Sequence, residues 1–161
     1  MTAAAFQPSP VESVQRAGPA RSKTRATEQR PVTEDAIARL VDAFYAKVRE
    51  DPRLGPIFVG AIGDDGWADH LATLRDFWSS VVLKTGRYGG KPHLVHRDLD
   101  LCPEHFERWL ALFEVTAREV CPGEAAGFFV DRAHRIADSL MIGLNIGPKA
   151  VTLPSLSGAP A

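Results

Sequence analysis

The chain is poor in cysteine: Cys102 and Cys121 are the two it has in 161 residues. An apolar helical repeat of about 18 residues separates them, which at roughly 1.5 Å per residue puts their Cα atoms more than about 20 Å apart. A disulfide tolerates no more than about 7 Å, so two free thiols and a reducing compartment are expected. No apolar run approaches the roughly 18 residues that span a bilayer, and no membrane partner is expected. The N-terminal residues hold no apolar core of the kind a secretory signal carries, so the expected location is the cytoplasm. An excess of one charge is missing too: 19 Lys and Arg against 20 Asp and Glu leave −1. Nucleic acid would want a basic face and is excluded as a main partner. No segment alternates with period two for long enough to make a strand, and no internal repeat is visible. What remains is a single all-α domain with tails.

Residues 1–31 are rich in Ala, Ser, Pro, Arg and Gln. Arg16, Arg21, Lys23, Arg25 and Arg30 outnumber Glu12 and Glu28. Such a segment buries too little apolar surface to offset its ordering entropy, and it is expected to be a disordered basic arm. Residues 148–161 form a Pro/Ser/Ala tail of the same kind. The domain is expected at 32–147.

Four main helices follow from the spacing. Thr33 is a good N-cap, with Glu34 and Asp35 favourable in the first turn. Ile37, Leu40, Val41, Phe44, Tyr45 and Val48 then form one apolar stripe, which Asp51-Pro52 ends. Leu54-Gly55-Pro56-Ile57-Phe58 reads as a stiff apolar connector. The second helix starts near Asp64-Asp65-Gly66 and carries Trp67, His70, Leu71, Leu74, Phe77, Trp78, Val81 and Val82 on its stripe. Thr85 to Pro92, with three glycines and a proline, breaks it. Pro103 opens the third helix, whose stripe includes Phe106, Trp109, Leu110 and Phe113. Cys121-Pro122-Gly123 closes it. The fourth runs from about Glu124 to Asn145 and turns Phe128, Phe129, Ala133, Ile136, Ala137, Leu140, Met141 and Leu144 inward.

The long connection between the middle helices contains Pro92-His93-Leu94-Val95-His96-Arg97. Imidazole is the commonest side-chain ligand for transition metals, and one histidine suffices to hold a haem iron. A lone loop histidine is also commonly a plain surface residue. Here two apolar helices flank His96, and the gap between them suits a flat apolar cofactor. His93 and His96 do not make a zinc site, because no cysteine or carboxylate cluster supplies the further ligands and HExxH is absent. Gly89-Gly90-Lys91-Pro92 lacks the spacing, the Ser/Thr after Lys and the preceding strand of a phosphate loop. His105 and His134 read as helix-surface or boundary residues without a role.

Tyr45, His70 and Trp109 each place a polar group on an apolar stripe, and each sits on a different helix. Buried polar groups need partners. Either these are three unrelated core residues bonded to backbone, or they converge on one cavity and offer hydrogen-bond donors to a small ligand. Phe44, Phe58, Phe77, Trp78 and Phe113 suit a core or a porphyrin wall equally well.

Several of these motifs, taken in order from about residue 33 to 145, resemble the group III truncated haemoglobins, the 2-on-2 globins of bacteria. They are Phe44-Tyr45-Ala46-Lys47-Val48-Arg49, Leu54-Gly55-Pro56-Ile57-Phe58, Trp67 with His70, Phe77-Trp78, Gly86-Arg87-Tyr88-Gly89-Gly90-Lys91-Pro92, His96, and Phe106-Glu107-Arg108-Trp109-Leu110. Two features depart from a minimal member: the additional His93 beside the proximal position, and the long basic arm.

The resemblance implies a helical sandwich around a haem b, with His96 as the proximal iron ligand. Tyr45, His70 and Trp109 fall on the distal positions. Phe44, Phe58, Leu74, Phe77 and Trp78 are expected against the porphyrin. The implied function is binding of O2, NO, CO or a similar diatomic ligand at a five-coordinate iron. Conversion of NO to nitrate or a peroxidase-like reaction is the implied redox activity, with a reductase or other electron donor as partner. A sensor or carrier without turnover is the alternative, and a haem-free helical interaction domain a third.

Overall fold

A computed structural model describes residues 32–148 and residue 150. The expected basic arm lies outside these residues, as does nearly all of the expected tail. Among the described residues every regular element is helical: α1 Glu34–Glu50, α2 Gly55–Ile62, α3 Trp67–Leu83, α4 Pro92–Val95, α5 Pro103–Val120 and α6 Gly123–Gly143. The four main helices expected from the spacing are α1, α3, α5 and α6.

The start of α1 is chemically determined. Thr33 Oγ1 accepts the Ala36 N–H at 3.1 Å, and Glu34 and Asp35 sit at the positive end of the helix dipole. Its apolar stripe is buried from Ile37 to Val48. The helix ends at Asp51, whose carboxylate organises the next turn of chain. One oxygen accepts the N–H groups of Arg53 and Leu54, both at 3.0 Å. The other accepts Nε and Nη2 of Arg108 on α5, at 2.7 and 2.6 Å.

The turn that Asp51 organises corrects the expected connector. With Asp51 satisfying two backbone donors and Pro56 in the first turn, Gly55 onward is helical, not merely stiff. Gly55 is required for closeness, since a Cβ there would lie 2.7 Å from the Arg49 carbonyl oxygen. The second correction is the short helix α4, which forms inside the connection expected to be a loop. His96 is its C-cap.

Helix α1 packs on α3 and α5, α5 on α6, and α3 on α6. Two helix pairs, α1/α3 and α5/α6, thus face each other as a 2-on-2 sandwich. The seam is aromatic. Phe44, Phe113 and Phe129 are essentially fully buried. Phe113 stacks between Trp109 and Trp78, with centroids 5.4 and 5.1 Å away, and Phe44 meets it edge-on at 5.1 Å.

The stretch after α3 has no regular structure from Thr85 to Lys91. Arg87 ties it down by donating to Ser79 Oγ at 2.6 Å and pairing with Glu34 and with Asp76. Ser79 is fully buried and donates to Glu34 at 2.7 Å. This anchor fixes where the chain turns toward α4. Both cysteines are free thiols, one at each end of α5.

Candidate functional site

Between the helix pairs lies an apolar cavity of about 380 Å³. Tyr45 reaches it from α1, Phe58 from α2, His70, Leu74, Phe77 and Trp78 from α3, His96 from the end of α4, and Trp109 from α5. On α1, α3 and α5 the helical periodicity brings these side chains together, because each sits on the inward stripe of its own helix.

Phe44 is the departure. The resemblance places it against the porphyrin, yet it does not line the cavity. It lies one layer behind, edge-on to Tyr45 at 4.9 Å and to Trp109 at 5.5 Å. Tyr45 follows it in sequence, and successive helical residues point about 100° apart; here that turns Tyr45 to the cavity and Phe44 onto Trp109 and Phe113. Phe44 supports the wall that Tyr45 and Trp109 form.

Tyr45 is buried, and its ring lies 5.7 Å from those of His70 and Phe58. Burial pushes its phenol above the usual range, while a hydrogen bond from the Trp109 indole acts the other way. Indole N–H only donates, so Trp109 occupies the Tyr45 oxygen as acceptor and leaves the phenol hydrogen free to point elsewhere. His70 Nε2 is buried without a hydrogen-bond partner. Burial, reinforced by repulsion from His96, holds its imidazole below the usual value and hence neutral near pH 7. Trp67 flanks that ring at 6.0 Å, itself covered by the Arg49 guanidinium at 4.6 Å.

On the opposite wall, His96 Nδ1 lies 2.6 Å from the Pro92 carbonyl oxygen. A carbonyl only accepts, so Nδ1 carries the proton and Nε2 keeps its lone pair. This is the tautomer a metal ligand requires, and the same bond orients the ring. His93 does not line the cavity. Among the described residues no group of three or more His, Cys, Asp or Glu side chains is placed to hold a metal ion. With fewer than three such side chains to hold it, an iron here would draw most of its shell from a macrocycle. The apolar walls, the free Nε2 of His96 and the orphaned Nε2 of His70 opposite all fit haem.

Sequence reasoning passes over several wall residues. His105 lines the cavity and also caps α5, its Nδ1 accepting the Cys102 N–H at 3.1 Å. The S/T-x-x-E form of a capping box is the available signal, and Cys-x-x-His disguises it. Tyr88, Val95, Leu99 and Leu101 come from irregular or very short segments, where periodicity gives no face.

The class that this fold and slot define is the globins, in their shortened form. A scan against models of protein families matches none. The chain is 42% identical over 109 residues to the group 3 truncated hemoglobin ctb of Campylobacter jejuni, covering 66% of this chain and 86% of that protein. The crystal structure of a group III truncated hemoglobin from Campylobacter jejuni superposes with a TM-score of 0.64 at 41% identity, over 68% of this chain and 88% of that one. The group II truncated hemoglobin of Bacillus anthracis shares the fold, with a TM-score of 0.59 at 24% identity, over 68% and 85%. The chain belongs to the group III truncated haemoglobins. Haem, ordinarily haem b, is the cofactor of this family, and small diatomic gases are its ligands. No helix among the described residues is long and apolar enough to cross a membrane.

Proposed function

We propose that His96 holds the haem iron from one face and that Tyr45, His70 and Trp109 act on a diatomic ligand at the other. The observation that carries this is the His96 Nδ1 to Pro92 hydrogen bond of 2.6 Å, which frees Nε2 toward the slot. Haem bound there would supply the iron that takes up the diatomic ligand. The chain's own residues do the rest. Tyr45, its oxygen already accepting from Trp109, donates its phenol hydrogen to the outer atom of the ligand. Burial makes that donor worth more than in water and costs no reorganisation when charge develops. His70, neutral and with Nε2 unpaired, stands beside Tyr45 on the ligand's approach. Phe58, Leu74, Phe77 and Trp78 exclude water.

Donors gathered on one apolar wall slow ligand release, which suits reaction of the ligand better than its carriage. The proposed turnover is therefore oxidation of NO by O2 to nitrate. Each nitrate costs one electron, which a partner reductase must return. The test is spectroscopic and kinetic. The purified protein is expected to show a Soret band that CO shifts, and His96→Gly to lose haem or to recover it with added imidazole. An unchanged ferrous spectrum in His96→Gly, with loss in His93→Ala, would overturn the ligand assignment. The oxygenated protein mixed with NO is expected to yield nitrate in equal amount. Turnover with peroxide and not with NO would replace the dioxygenase reading by a peroxidase-like one.

A further inference from the structure

Helix α4 has no buried residue and packs mainly against α6. Its position is therefore set by what α6 presents to it, and Gly143, the last residue of α6, comes close against His93 of α4. A Cβ on Gly143 would lie 3.1 Å from His93 Cβ and 3.7 Å from His93 Cγ. The nearer atom is a Cβ, which no side-chain rotation moves, so a methyl group there has to displace backbone. The end of α6 is held by its own bonds: Leu144 N–H donates to the Leu140 carbonyl at 2.8 Å and Ile146 N–H to that of Met141 at 2.9 Å. Helix α4, with four residues, is the part that yields. Its movement carries the imidazole of His96, which is tied through Nδ1 to the Pro92 carbonyl of the same helix.

We propose that Gly143 is a positioning residue for His96: its missing side chain lets α4 seat against α6 and so sets how far the proximal imidazole reaches into the slot. The inference rests on the assignment of His96 as iron ligand. It predicts that a substitution remote from the haem alters the iron–histidine bond. The effect is specific to the site, because a Cβ at Gly127 of the same helix meets nothing within 4 Å. Alanine also favours the helix over glycine, so loss of helix stability does not account for a change at Gly143.

Resonance Raman spectroscopy of the ferrous, ligand-free holoprotein tests this through the iron–histidine stretching band. Gly143→Ala is expected to shift that band from its wild-type position, and Gly127→Ala to leave it in place. The double variant Gly143→Ala/His93→Gly, which removes the Cβ that the introduced methyl group would strike, is expected to bring the band back. Loss of haem in Gly143→Ala, recovered in the double variant, supports the proposal equally. A wild-type band that Gly143→Ala leaves unmoved overturns the positioning role alone. So does a shift that His93→Gly does not reverse, or one that Gly127→Ala reproduces. A wild-type protein without the band, or a band that persists in His96→Gly, overturns the ligand assignment and the positioning role with it.

Discussion

On the distal wall, Tyr45, His70 and Trp109 are carried by helices of 17 or 18 residues. Behind them lie Phe44 and Phe113, packed in one buried aromatic cluster with the wall residue Trp78. On the proximal wall, His96 caps a helix of four residues. That helix leaves Leu94 42% and Val95 70% exposed. The two walls therefore do different work. The distal donors are held by the same packing that folds the domain, so they are preorganised for a ligand. The proximal ligand rests on a thin element located by Gly143, the Arg87 anchor and whatever fills the slot. Val95 lines that slot, so haem binding is expected to cover part of its exposed surface and to stabilise this wall by mass action.

The largest expected effect separates the walls directly. Phe113→Ala should cost about 3–5 kcal/mol, as for other buried aromatic truncations. Leu94→Ala, at a half-exposed site, should cost no more than about 0.5–1 kcal/mol. Urea unfolding of both variants measures this, and equal losses would break the comparison.

Asp51 comes next. Burial would raise its carboxyl, but the Arg108 guanidinium and the N–H groups of Leu54 and Arg53 outweigh it and hold the carboxyl below the usual range. A folded-state value below the unfolded one, about 3.9, means that the unfolded chain takes up the proton first. The stabilisation is therefore fully present above that value and is lost as pH falls through the depressed one. Asp51→Asn should lower stability at pH 7 by about 1–3 kcal/mol. It should also flatten the decline of stability below about pH 4, which unfolding at a series of pH values will show. An unchanged acid limb would mean that Asp51 does not hold α1, α2 and α5 together electrostatically.

The smaller effects sharpen the distal half. A net hydrogen bond is worth roughly 0.5–1.5 kcal/mol, or about twofold to tenfold in a dissociation rate. Tyr45→Phe removes the donor and should speed O2 release toward the upper end of that range. Trp109→Phe acts by freeing the Tyr45 oxygen and should fall toward the lower end. CO carries little negative charge on its outer atom and should respond less to both. His70→Leu should mainly alter entry. Stopped-flow and flash photolysis give all three, and equal shifts for O2 and CO would point to packing instead of hydrogen bonding.

Much of this is legible in the sequence because the main helices are amphipathic. The 3.6-residue repeat through Ile37, Leu40, Phe44 and Val48 assigns α1 its inward face before any neighbour is known, and Thr33 marks its start. The same repeat places Tyr45, His70 and Trp109 on inward faces. It cannot separate Phe44 from Tyr45, because both fall within one broad apolar stripe and only the position of α5 decides which meets the cavity. The helical character of Gly55–Ile62 is hidden for a related reason. The turn that leads into it is organised by Asp51, which in the sequence reads as the end of the previous helix, and whose hold on Arg108 spans 57 positions.

By itself, then, the sequence determined the all-helical composition, the separation of the two thiols along α5, the inward stripes and the family, since each rests on local spacing or ordered motifs. Tertiary structure alone decided that Phe44 stands behind the wall that Tyr45 and Trp109 form and that Gly143 abuts His93. Those are contacts of a few ångströms between residues or faces that spacing does not align, and they exist only once the helices have packed.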